Sequence, residues 1–195
     1  MTTRPRLRKF VLTAHVVSSV GWLGAVVVFL ALGVVGLSSQ DAQVVGAVYL
    51  AMEPAGWSVL VPLSLASLLT GLVQSLGTKW GLFRHYWVLV KLLINLVATI
   101  VLLLYMQTLG YLAGVAAQAT SSGGDLSGLR SPSPVIHAGA GLLLLLVAAT
   151  LSVYKPQGMT RYGQRKQHEQ RAVSTAGDLA TPARPRPSET LSRPR

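Results

Sequence analysis

The chain contains no cysteine. That absence excludes disulfides, thiolate metal centres, iron–sulfur clusters and haem attached through a Cys-x-x-Cys-His motif, so any haem here would be held non-covalently. Acidic residues are scarce too, with six Asp and Glu against seventeen Lys and Arg. No paired-carboxylate site, phosphate loop or His-Glu-x-x-His motif occurs, and ordinary soluble-enzyme chemistry has no support. Charged residues make up only 12% of the chain against 51% hydrophobic ones, and the mean hydropathy is +0.50. This balance belongs to membrane proteins. The net charge of +11 lies almost entirely outside the apolar runs, so it reports topology first, and nucleic acid is not an expected partner.

What is abundant is long apolar sequence. Residues 1–9 form a basic start with Arg4, Arg6, Arg8 and Lys9, and an apolar run follows from Phe10 to about Leu37. This run is too long for a signal-peptide core and ends in no small-residue cleavage site, so it reads as a retained first helix. In the next stretch Val44, Val45, Val48 and Met52 recur at helical spacing, which predicts a short interfacial helix stopped by Pro54. A second span is expected over 55–76, with a kink at Pro62. Residues 77–85 form a short basic connection carrying Trp80 and His85. The third span, 86–110, follows. Residues 111–134, rich in Gly, Ser and Ala, read as a flexible external loop, and 135–154 as the fourth span. Residues 155–195 hold too few large apolar side chains to fold alone and predict a disordered basic tail facing lipid headgroups.

Counting charges orients the chain. The N-terminal segment carries four Lys and Arg, the three connections none, two and one, and the tail nine. The expectation is therefore an all-α integral membrane protein, a four-helix up-down bundle in the plasma membrane with both termini cytoplasmic. Its partners are the lipid bilayer and either a second copy or another membrane protein.

One helix breaks the apolar rule. Between Trp87 and Tyr105 only Lys91, Asn95 and Thr99 interrupt the run. An ammonium at mid-membrane costs roughly 2.5–3.5 kcal/mol on insertion scales, which makes Lys91 a functional candidate. On the first helix His15, Ser18, Ser19 and Trp22 share one face. His15 and Lys91 each lie five residues into a helix that enters from the cytoplasmic side, at a depth of roughly 7–8 Å. Asn95 is one turn deeper on the face of Lys91. His137 starts a helix that enters from the other side, so a haem shared by His15 and His137 is disfavoured, whereas His85 at the cytoplasmic rim can approach the His15 level. Each candidate also has a structural reading: Lys91 as a snorkelling side chain, His15 as a polar helix contact, and Trp22, Trp80 and Trp87 as packing or belt residues.

The pattern of His15, Trp22 and Gly24, with Trp87 and Lys91-Leu92 opening the third helix, resembles the HemJ-type protoporphyrinogen oxidases, the CopD-like membrane domains and their four-helix relatives. Ala25 and Tyr105-Met106 depart from the oxidase pattern, so the resemblance points to a relative within that group. It implies b-type haem, with His15 as the iron ligand and Lys91 as its functional partner; Asn95, Trp22 and His85 complete the candidate cofactor site. In that picture Lys91 and His15 carry any catalysis. The alternatives are a cofactor-free membrane scaffold or partner-binding subunit, and an oligomeric metal or proton permease.

Overall fold

A computed structural model describes residues 5–77, 86–122 and 129–154, together with residues 160, 164–165, 168–169 and 172. Among them the chain is helical and contains no strand. The first helix, α1 (Pro5–Ser38), ends as Asp41 starts the next: the Asp41 carboxylate accepts from the Gln43 N–H at 2.8 Å and caps α2 (Ala42–Ala55). A π-helical segment, Gly56–Leu60, joins α2 to α3 (Val61–Gly77) without a break. Then come α4 (Tyr86–Ser122) and α5 (Ser133–Tyr154).

Pro54 therefore does not stop the second helix, contrary to expectation. Proline removes an N–H and crowds the preceding turn. Here α2 runs on through Pro54 into the π segment Gly56–Leu60, and Ser58 Oγ donates to the Pro54 carbonyl at 2.7 Å. The segment 111–134 departs from its reading as a loop as well, because α4 continues to Ser122. Leu112, Ala113 and Ala116 are buried, extending the stripe that starts at Met106 and Leu109 and packs on α2. Gly110, the expected end of the third span, and Gly114 do not break the helix: a β-carbon at either would meet nothing within 4 Å. They lie on the open face, where a glycine lowers helix propensity by about 1 kcal/mol without disturbing packing. Beyond the undescribed residues 123–128 the connection is tied down: Leu129 is buried, its carbonyl accepts from Tyr49 Oη at 2.6 Å, and Arg130 donates to Gln40 Oε1 at 3.1 Å. Trp80, His85 and most of the basic tail lie outside the described residues.

Glycine contacts give the helix directions. On α1, Gly21 faces Leu63 of α3 and Gly33 faces Pro134 and Val135 of α5, while Gly141 of α5 faces Val26. Gly56 faces Met106 and Leu109 of α4. Neighbouring spans thus run antiparallel, and the start of α1 and the end of α5 share one end of the bundle. Four helical stretches, Arg6–Ser38, Ala42–Leu76, Tyr86–Ser121 and Ser133–Tyr154, are long and apolar enough to cross a membrane. The core gathers Trp22, Phe29, Tyr49, Met52, Leu60, Met106 and Leu109, while many other Val and Leu side chains of all four stretches point outward and are exposed.

Candidate functional site

The site grows from the packing of α1 on α3. His15 is 7% exposed, and its Nδ1 lies 3.1 Å from the Ser67 carbonyl oxygen and 3.2 Å from Thr70 Oγ1. A carbonyl oxygen can only accept, so Nδ1 carries the proton and Nε2 keeps its lone pair. Thr70 Oγ1 is itself turned to the Ala66 carbonyl, which frees its oxygen to accept a share of the Nδ1 proton. One turn further along α1, Ser19 Oγ and Ser67 Oγ are 2.8 Å apart, and Ser18 Oγ donates to the His15 carbonyl. Gly71 lets α3 approach the imidazole, since a β-carbon there would sit 3.0 Å from His15 Cε1.

The third wall is α4. Lys91 is half-buried on it. Asn95 is 7% exposed and Thr99 2% exposed on the same face, deeper in the bundle. Two buried polar atoms, Gln74 Nε2 and Thr99 Oγ1, have no hydrogen-bond partner. Such atoms, hydrogen-bonding groups removed from bulk water, mark places where a water or ligand atom would be stabilised.

The other candidates fall elsewhere. Trp22 is seven residues along α1 from His15, about 10 Å at 1.5 Å per residue, and lines an apolar cavity of about 120 Å³ with Phe29, Met52 and Met106. It is a wall of that cavity rather than of the polar site. His85 lies outside the described residues. His137 stacks on Tyr105 with ring centroids 4.0 Å apart. Because residues 134 and 135 face Gly33 and α5 runs antiparallel to α1, His137 sits level with about residue 30 of α1, roughly 23 Å along the bundle from His15 at 1.5 Å per residue. One metal cannot be bound by both. No group of three or more His, Cys, Asp or Glu side chains gathers among the described residues.

Sequence reasoning missed the whole contribution of α3. Ser64, Ser67, Gly71 and Gln74 recur at i, i+3, i+7 and i+10, one helical face, and Thr70 lies beside it. The spacing of that stripe is readable in the sequence, but serine and threonine are common in apolar helices and do not by themselves mark a site.

The fold and site together define a class: an all-helical bundle, four of whose helical stretches are long and apolar enough to cross a membrane, with one buried His–Ser–Thr layer beside a lysine. Comparison with known protein families, with curated proteins and with solved structures finds no match.

Proposed function

We propose that this chain is a multi-pass integral membrane protein of the plasma membrane, with both termini cytoplasmic, that binds b-type haem or a similar redox cofactor at His15. The bilayer placement draws on the outward-facing Val and Leu side chains of all four stretches. The orientation draws on the Lys and Arg counts, and the plasma membrane and the haem on the resemblance in His15, Trp22, Gly24, Trp87 and Lys91.

One observation carries the reading. The Nδ1 proton of His15 is committed to the Ser67 carbonyl, which holds the ring in one tautomer and leaves Nε2 to ligate. Metal-binding histidines are oriented by this kind of bond. Lys91, half-buried on α4, would supply a cation suited to balancing a propionate or delivering a proton. Asn95, one turn from Lys91 on α4, and Gln74, one turn from Thr70 on α3, add polar groups near this level. A bound haem would supply one-electron chemistry; the protein's share is to hold it, neutralise its charge and exclude water.

A second reading rests on packing. His15 is 7% exposed and pressed against Gly71, while the cavity of about 120 Å³ lies two turns away. On this view the imidazole clamps α1 to α3 in a cofactor-free scaffold. A permease draws less support, since the cavity beyond Thr99 is lined almost wholly by apolar side chains.

Visible spectra of the purified protein from haem-replete cells, oxidised and dithionite-reduced, separate the readings. The cofactor reading expects a Soret band that His15→Ala abolishes and Lys91→Met weakens. A colourless protein whose His15→Ala variant still assembles sinks it in favour of the clamp.

A further inference from the structure

The cavity beyond the polar layer has chemistry of its own. Its wall is almost wholly apolar, with Trp22, Phe29, Met52 and Met106 around it and Tyr105 and His137 among its lining residues. Its volume of about 120 Å³ is of the order that accepts one six-membered ring; an engineered apolar cavity of about 150 Å³ in another protein stays dry and binds benzene.

The polar groups in the wall are specific. His137 Nδ1 lies 2.9 Å from the Ser133 carbonyl oxygen, so Nδ1 carries the proton and Nε2 is left as an acceptor. Ser133 Oγ donates to Tyr105 Oη at 3.3 Å, which leaves the tyrosine's own proton uncommitted. The two rings stack with an interplanar angle of 18° and centroids 4.0 Å apart. Tyr105 and the exposed His137 are the residues with an uncommitted donor and acceptor that line a cavity otherwise offering mainly hydrocarbon and aromatic surface.

We propose that this cavity is a binding site for a single-ring phenol-type ligand, its ring among Trp22, Phe29 and Met106 and its hydroxyl between Tyr105 and His137. The hydroxyl donates to His137 Nε2 and accepts from Tyr105 Oη. A plain arene fills the same space but leaves both groups unanswered, and water gains too few partners there to compete. The site uses neither His15 nor Lys91, so it stands apart from the cofactor reading.

The test is a titration of 4-fluorophenol and of fluorobenzene, followed by fluorine NMR, into the full chain in lipid nanodiscs, with empty nanodiscs measuring simple partition. The expected result is a saturable component for 4-fluorophenol that disappears in Ala138→Leu and in Gly141→Leu, both of which fill the cavity from α5. The β-carbon of the second variant meets Val26 no closer than 3.9 Å, so the backbone accommodates it. His137→Phe keeps the stacked ring at an exposed position and removes the acceptor; it should weaken 4-fluorophenol roughly five- to tenfold and leave fluorobenzene unchanged. Three outcomes overturn the proposal: no saturable component above partition, one that survives both filling variants, or equal binding of the two probes with no response to His137→Phe.

Discussion

The closeness of α3 to His15 can be measured as an energy. A β-carbon at Gly71 would lie 3.0 Å from His15 Cε1 and 3.4 Å from Nδ1, so in Gly71→Ala the ring must retreat by a few tenths of an ångström. The Nδ1 contact to the Ser67 carbonyl already spans 3.1 Å, and that retreat carries it toward about 3.5 Å, where little bonding remains. Interhelical hydrogen bonds in membrane proteins average about 0.6 kcal/mol and reach about 1.7. Against that loss stands the helix-propensity gain of glycine to alanine, about 0.8–1 kcal/mol. The two nearly cancel, so Gly71→Ala alone should leave stability within about 0.5 kcal/mol of the parent. In a His15→Ala background the obstruction is gone, and the same substitution should stabilise by close to the full propensity gain of about 1 kcal/mol. Gly24 supplies the control, because a β-carbon there meets nothing within 4 Å. Gly24→Ala should gain about the same in both backgrounds, additive within roughly 0.3–0.5 kcal/mol. Reversible unfolding in lipid bicelles, with all variants made in pairs, reads the cycle. Equal effects of Gly71→Ala with and without His15 would refute the close approach and with it the oriented imidazole.

Two further substitutions probe the rest of the core. Gly56→Ala places a β-carbon 2.7 Å from Met106 Sδ and Cε, but the flexible end of Met106 borders the cavity and can turn into it; the expected cost is at most about 1 kcal/mol, removed by Met106→Ala in the same unfolding assay. Thr99→Val removes a buried hydroxyl without a partner while keeping its shape, and should raise stability by about 1 kcal/mol; a loss instead would show that Thr99 Oγ1 holds a water or ligand the bundle depends on.

Much of the architecture was legible because a bilayer-length apolar run needs no partner to be recognised. Residues 10–37, 86–110 and 135–154 all lie within observed helices, since backbone groups in an apolar run of that length are satisfied by helix formation. The misjudged segments were those where a local breaker was read without its context. Pro54 reads as a stop only if the lost N–H and the crowded turn before it outweigh packing, yet Met52, Gly56 and Leu60 around it are buried in the bundle. Gly110 and Gly114 read as a loop only if the residues between them do no packing, yet Leu112 and Ala113 are both buried against the rest of the bundle. In both cases tertiary contact supplied what local propensity withheld.

Depth along the helices was also legible, because residue count converts directly to distance. The separation of His15 from His137 follows from chain direction and 1.5 Å per residue, and the contact of Gly33 with residues 134 and 135 places the two histidines at opposite ends. Rotation is a different quantity. A single helix with a mean hydropathy high on every side carries no amphipathic signal to say which face turns inward, and in lipid the outward face is as apolar as the core. The histidine and lysine of a helix are then informative only through the polar residues opposite them. Ser64, Ser67, Gly71 and Gln74 are such a counter-stripe, and its spacing matches the face that receives His15. A polar or small stripe on one apolar helix, matched by direction and depth to an ionisable residue on another, fixes the rotation of both, because each polar group left facing lipid would cost more than any packing gained by turning it outward.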